Sequence, residues 1–137
     1  REENVRFVAA ANHPLLTHGP LTLEKIAGAD FVLTESSMSY RRLLDDLLSS
    51  RSLEIRPVLE IGNPLQICSI VAESSLVSFL PDFITRKYIQ RGELAALPVE
   101  DCGIRVWTQL LLHKNKWRSP ALDAFIDFYR EIISEGP

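Results

Sequence analysis

Residues 60–72 read Glu60-Ile61-Gly62-Asn63-Pro64-Leu65-Gln66-Ile67-Cys68-Ser69-Ile70-Val71-Ala72. The apolar-rich run 54–61 reads as a strand, and Gly62-Asn63-Pro64 breaks it. Asn63 offers a side-chain acceptor for a helix N-cap, and Pro64 is pre-set for the first helical position, where its missing N–H is harmless. Leu65, Ile67, Cys68, Ile70, Val71 and Ala72 then wrap a helix over 64–72 in apolar surface, so it is expected to be buried nearly all round. A strand passing through a tight junction into a buried helix is half of a βαβ unit.

The same grammar extends in both directions. Upstream, 5–11 is a short apolar strand ended by Asn12-His13-Pro14, where proline disfavours helix for the residue before it. Thr22 can cap a brief helix carrying Leu23, Ile26 and Ala27, and Gly28 can stop it. A second strand covers 31–34. Glu35-Ser36-Ser37 then offers capping side chains for a helix over 38–48 with Leu43, Leu44, Leu47 and Leu48 on one side. Arg41, Arg42, Asp45 and Asp46 are expected to face water, and their two pairs four residues apart add only about 0.2–0.5 kcal/mol each. The alternative is that Arg41 or Arg42 reaches over the helix start to an anionic ligand.

Downstream, 76–80 is a fourth apolar run closed by Pro81, 82–90 is a helix ended at Gly92, and 94–99 and 104–113 read as extended. Ser119 as N-cap and Pro120 at the first helical position open a last helix, with Leu122, Phe125, Ile126, Tyr129, Ile132 and Ile133 along one stripe and Phe128 widening it. Strands alternating with helices imply an α/β fold with a mostly parallel sheet flanked by helices on both faces. Such sheets bind ligands at the carboxyl ends of their strands. Three strand-to-helix junctions therefore become candidate contacts: Asn12-His13, residues 35–38 and residues 62–65. The latter two also present backbone N–H groups at helix starts, which favour a carboxylate or phosphate. The candidate ligand-binding residues are Asn12, Glu35, Ser36, Ser37, Asn63, Pro64 and Leu65, acting through backbone N–H groups and short polar side chains.

Composition excludes several classes. The 137 residues suffice for one domain with a buried core, and 46% hydrophobic with 24% charged residues is ordinary globular usage, so neither disorder nor a coiled coil is indicated. Fifteen Lys and Arg against eighteen Asp and Glu leave a net charge of −3, whereas DNA-reading domains concentrate positive charge. Cys68 and Cys102 form no CxxC pair and have no His at metal spacing, which suits a reducing, cytoplasmic compartment and predicts no metal. No run approaches the roughly 20 apolar residues of a membrane helix, so no membrane partner is expected. The sequences G-x-S-x-G, G-x-x-x-x-G-K-[ST], G-x-G-x-x-G and H-E-x-x-H are absent, so no cofactor and no enzymatic activity are expected.

Single residues read blandly. Cys68 lies in the most apolar helix, where a thiol is an inert small hydrophobe. His13 has no carboxylate at a fixed helical spacing and reads as a loop-packing histidine rather than a base. The stretch His113-Lys114-Asn115-Lys116-Trp117-Arg118 mixes basic and aromatic residues as nucleic-acid contacts do, but reads as a solvated loop before the last helix.

Taken in order, these features resemble the effector-binding domain of LysR-type transcriptional regulators. Residues 8–15, ending His13-Pro14-Leu15, are similar to that family's strand followed by His-Pro-Leu, and 21–27 to its next short helix. Residues 31–44 resemble its strand, acidic residue, Ser, then Arg and Leu. Residues 60–72 resemble its buried helix, 76–81 its strand ending Leu-Pro, Gly92-Glu93-Leu94 with Leu97-Pro98 its Gly-x-Leu turn, and Ser119-Pro120-Ala121 with 125–128 its last helix. One departure is that the family commonly carries Gly-x-Gly before the Leu-Pro strand, where this chain has Ser74-Ser75-Leu76-Val77, so local geometry there is expected to differ.

The resemblance implies a periplasmic-binding-protein-like (type II) lobe, with residues 1–11 a crossover strand from a first lobe, 12–104 the second lobe, and 105–137 a returning strand and C-terminal helix of the first. The strand opening almost at once suggests one piece of a longer protein. Function is then implied as ligand sensing: a small anionic effector, such as a carboxylate, binds between lobes and controls a dimer or tetramer. DNA is reached only through an N-terminal helix-turn-helix outside this chain. The face of the last helix carrying Phe125, Phe128 and Tyr129 is expected to lack cover and to self-associate. Two rivals stay open: a periplasmic-type solute-binding protein, and a small α/β enzyme using His13 or Cys68, which needs nucleophile and base brought together.

Overall fold

The computed structural model describes residues 1–115 and 117–134. In chain order the elements are β1 (Glu2–Ala10), a 3-10 turn (Pro14–Thr17), α1 (Leu23–Ile26), β2 (Val32–Leu33), α2 (Ser39–Ser50), β3 (Leu59–Glu60), α3 (Pro64–Ala72), β4 (Ser78–Pro81), α4 (Asp82–Gln90), β5 (Leu94–Ala96), β6 (Arg105–Trp107) and α5 (Pro120–Ser134). They divide into two compact units, residues 2–106 and residues 107–137 with Arg1.

In the larger unit β1 takes hydrogen bonds on both edges. It pairs antiparallel with β4, Val5 opposite Pro81 through Val8 opposite Ser78, and antiparallel with β5, Val8 opposite Ala96 through Ala10 opposite Leu94. β2 pairs in parallel with β3, Val32 opposite Leu59, and a parallel bridge from Phe31 to Val77 joins β2 to β4. Five strands thus lie in the order β3-β2-β4-β1-β5, and β6 also pairs with β1. Four of these strands run one way, as the strand–helix alternation predicts, and β1 alone runs against them. Its central place explains its apolar run: Phe7, Val8, Ala9 and Ala10 are all buried, as a strand covered on both faces requires.

The core gathers on β1. The Phe7 ring lies 4.8 Å from that of Phe79 and 6.0 Å, edge-on, from that of Phe31. Leu33 of β2, Leu44 of α2 and Ile67 and Val71 of α3 complete it. Thr22 caps α1 as expected, accepting from Lys25 N–H at 3.4 Å, and Asn63 caps α3, accepting from Leu65 N–H at 3.0 Å.

Several elements differ from expectation, each for a local reason. The strand expected over 54–61 shortens to Leu59–Glu60. Pro57 has no N–H to donate, and pairing starts only where Val58 N–H reaches Phe31 C=O at 2.8 Å. α3 is buried on one face only, through Ile67, Cys68 and Val71, while Leu65 is 57% exposed because the helix covers the sheet from one side. α2 starts at Ser39 with Met38 as N-cap and no side-chain capping bond, so Glu35, Ser36 and Ser37 do not cap it. Its buried stripe is Tyr40, Arg41, Leu44 and Leu48, with Leu43 outward. Arg41 therefore faces inward, only 7% exposed, rather than toward water.

At the Gly-x-Gly departure the turn closes without left-handed backbone. Ser52 is the only non-glycine residue with positive φ among the described residues, and Ser74 Oγ accepts from Leu76 N–H at 3.2 Å. Serine replaces conformational freedom with a side-chain turn.

In the smaller unit Ser119 Oγ accepts from Leu122 N–H at 3.2 Å to open α5. The Arg1 ammonium donates to Thr108 C=O and Thr108 N–H to Arg1 C=O, both at 2.9 Å. Ile126 is buried, Phe125 and Tyr129 stack with centroids 6.1 Å apart, and Phe125, Phe128 and Ile132 are each more than half exposed. The Ile133 side chain and Lys116 lie outside the described residues.

Replacing Phe7 by Ala removes the ring both partners pack on. It should lower unfolding free energy by about 3–5 kcal/mol, read as a shift in urea midpoint.

Candidate functional site

β2 and β3 pair side by side and end together, so the loops leaving them leave together. Ile61 N–H donates to Leu33 C=O at 3.0 Å, the last rung of that ladder. Beyond it Glu35, Ser36 and Ser37 lead to α2, and Gly62, Asn63, Pro64 and Leu65 lead to α3. The contact is close: a Cβ on Gly62 would fall 3.0 Å from Glu35 Oε1. Glycine at 62 thus allows the Glu35 carboxylate to seat against the neighbouring loop. Two of the three expected junctions meet at the carboxyl edge of the sheet.

Asn12 does not join them. Because β1 runs opposite to β2, β3 and β4, its end lies at the amino edge. Asn12 lines a separate groove of about 460 Å³ with Ala72, Glu73, Gly92 and Glu93, at the far end of α3.

The two helix starts also differ. At α3 the Leu65 N–H is already taken by Asn63 Oδ1. At α2 no side chain caps the first turn, so its backbone donors are the ones open to a ligand. Glu35, Ser36, Ser37, Asn63 and Leu65 are all exposed, and Pro64 is half-buried.

Arg41 ties this edge together. Its Nη1 donates to Thr34 C=O at 2.7 Å and to Glu60 Oε1 at 2.8 Å, and its Nε donates to Asp45 Oδ1 at 3.0 Å. Burial pulls the guanidinium pKa down, but the hydrogen bonds and charges of Asp45 and Glu60 outweigh it and leave the pKa raised. Sequence reasoning missed this residue by a helical phase: 41, 44 and 48 share the i, i+3, i+7 spacing of the buried stripe. Behind it, Thr34 Oγ1 and Tyr40 Oη are buried and complete no hydrogen bond. Burial raises the Tyr40 phenol pKa.

Across β4 and β1, a groove of about 480 Å³ opens where the chain leaves β5, lined by Asn4, Arg6, Leu97, Val99, Cys102 and Arg105. Its two arginines are internally paired, Arg6 with Asp82 at 3.0 Å and Arg105 with Glu2 at 2.9 Å. No sequence signal marked it, since it depends on where β5 departs from β1.

The nucleophile–base reading finds no support here. His13 Nδ1 accepts from Leu15 N–H at 3.1 Å and its Nε2 meets Ser75 C=O at 3.0 Å, so both ring nitrogens hold a loop. Burial pushes the thiols of Cys68 and Cys102 up to about 11, against backbone hydrogen bonds that lower them, so both are protonated at neutral pH.

An open α/β sheet whose paired strands present two exposed polar loops at helix starts is the frame of a small-molecule-binding domain. The sequence model of the LysR substrate binding domain matches residues 1–133, and the chain belongs to that family. The HTH-type transcriptional regulator YwqM of Bacillus subtilis is 32% identical over 139 residues, covering 96% of this chain and 44% of that protein. YeiE of Escherichia coli, also HTH-type, is 30% identical over 129 residues, covering 93% and 43%. The chain thus spans less than half the length of these relatives.

Two solved structures share the fold. The regulatory domain of CcmR from Synechocystis PCC6803, in complex with 2-PG, superposes with a TM-score of 0.80 at 18% identity over 99% of this chain and 65% of that one. The effector binding domain of QuiR, in complex with shikimate, gives 0.78 at 21% identity over 96% and 61%. The type II periplasmic-binding-protein-like expectation holds, and the solute-binding alternative is not favoured, since the matched relatives are transcription regulators. No helix among the described residues is long and apolar enough to cross a membrane.

Two predictions follow from the buried groups. Thiols that ionise near pH 9 when unfolded and near 11 when folded leave stability intact below pH 9 and erode it from pH 9 to 11. The urea midpoint should therefore fall over that range in the parent and less steeply in a C68A/C102A double variant. Replacing Tyr40 by Phe removes a buried hydroxyl with no completed bond, so it should leave stability unchanged or raise it by up to about 1 kcal/mol, seen in the same assay.

Proposed function

We propose that this chain is the ligand-sensing part of a LysR-type transcription regulator acting in the cytoplasm. The effector is a small carboxylate held at the carboxyl edge of the sheet. One observation carries the reading: the β2–β3 pairing makes the loop of Glu35, Ser36 and Ser37 and the loop of Asn63, Pro64 and Leu65 leave the sheet from neighbouring strands, with Glu35 against Gly62 and the first turn of α2 uncapped.

Donors at the α2 start suit the carboxylate group, and the Glu35 carboxylate, as an acceptor, suits a hydroxyl on the same molecule. The shikimate bound by QuiR motivates that pairing of groups. Asn12, at the opposite edge, takes no part in the proposed contact.

In this reading residues 12–104 form the sensing lobe, 1–11 cross into it, and 105–137 return to a partner lobe. The effector acts by favouring one lobe arrangement over another. That preference biases the geometry of a dimer or tetramer, and DNA is contacted by a helix-turn-helix outside these residues. The exposed α5 face, with Phe125 and Phe128, supports burial against a further surface in that assembly. Catalysis is not assigned to any residue.

The test is a thermal-shift series with shikimate, 2-PG and other hydroxy-carboxylates, each beside its neutral analogue. A ligand at about 100 times its Kd should add roughly 2.7 kcal/mol of stability, several degrees in Tm. The gain, measured against each variant's own unliganded Tm, should shrink in Glu35→Gln. No shift with any carboxylate, or equal shifts from the neutral analogues, would sink the anionic-effector reading.

A further inference from the structure

We propose that Arg41 is a positioning residue that couples the two ligand-facing loops, so that a displacement of either is transmitted to the other and to α2. The inference rests on the proposed ligand edge for its meaning, but its geometry stands without a ligand.

Thr34 is the last residue before the loop that carries Glu35, Ser36 and Ser37. Glu60 is the last residue of β3, before the loop that carries Gly62, Asn63 and Leu65. One guanidinium nitrogen of Arg41 reaches both, at 2.7 Å to Thr34 C=O and 2.8 Å to Glu60 Oε1. The Nε of the same group is held at 3.0 and 3.1 Å by the two oxygens of Asp45, one turn along α2. Three elements therefore share one rigid planar group.

That sharing matters because the backbone does little of the work. β2 and β3 are two residues each, and past Ile61 no backbone hydrogen bond joins the two loops among the described residues. What remains is the guanidinium and the seating of Glu35 against Gly62. A planar fork fixes the angles between its acceptors, so moving one acceptor tilts the group against the others. Arg41 is 7% exposed, so the guanidinium itself is desolvated and its bond to Thr34 C=O is buried, while Asp45 and Glu60 keep part of their carboxylates in water. Lysine, a single point charge on a flexible stem, cannot hold three acceptors in fixed relation.

The measurement is amide hydrogen exchange on the 137-residue chain, without ligand, for the parent, Glu60→Gln and Arg41→Lys. Two amides report the two sides: Met38 N–H, bonded to Glu35 C=O at 3.1 Å, and Ile61 N–H, bonded to Leu33 C=O at 3.0 Å. Glu60→Gln alters the β3 side alone and, at a half-exposed side chain, leaves the fold intact. It should nonetheless speed exchange at Met38 as well as Ile61, by roughly tenfold, while amides of the β1–β4 ladder stay as in the parent. Arg41→Lys should speed both further.

A response confined to Ile61 in Glu60→Gln overturns the coupling. So does an equal rise at every amide, which would mean general destabilisation. If Arg41→Lys fails to fold, Glu60→Gln decides alone. Because no ligand enters, failure here leaves the effector reading standing, and failure of the thermal-shift series leaves the coupling standing.

Discussion

The structure depends on one strand being satisfied on both sides. A buried backbone N–H or C=O left unpaired loses about as much free energy as a hydrogen bond is worth, so a strand in the middle of a sheet must find two neighbours. β1 finds β4 on one edge and β5 on the other, though these segments lie more than 65 residues along the chain. Phe7 on that strand organises Phe31 and Phe79 around itself. Removing β1 would leave β5 without its ladder, β4 with only its bridge to β2, and the aromatic cluster without its centre.

The direction of β1 then decides where function sits. It runs against β2, β3, β4 and β5, so its own exit loop lies at the amino edge while the exits of β2 and β3 lie together at the carboxyl edge. Sheet geometry, rather than any motif, gathers Glu35 and Gly62 within contact and sets Asn12 apart. Arg41 draws on the same geometry: its acceptors Thr34 and Glu60 come within reach because β2 and β3 end in register.

The smaller unit stands in contrast. α5 has a cap, a buried Ile126 and a stacked aromatic pair, yet much of its apolar surface faces outward. A helix with such a face is made to be covered. The chain spans less than half the length of relatives that share its family.

Local chemistry was legible from the residues themselves. Asn63-Pro64 marked the start of α3, Thr22 that of α1 and Ser119 that of α5, because capping needs only a side-chain oxygen and a neighbouring N–H. The strand–helix alternation marked the α/β class, and the order of short motifs marked the family. Tertiary structure alone decided which strand ran backwards, which junctions met, and that Arg41 faced inward. Those outcomes depend on pairing between segments far apart in the chain and on the phase of α2 against the sheet. A one-residue shift of that phase exchanges Leu43 for Arg41 in the buried stripe, and no local signal outweighs the partners that Thr34, Asp45 and Glu60 supply in the folded protein.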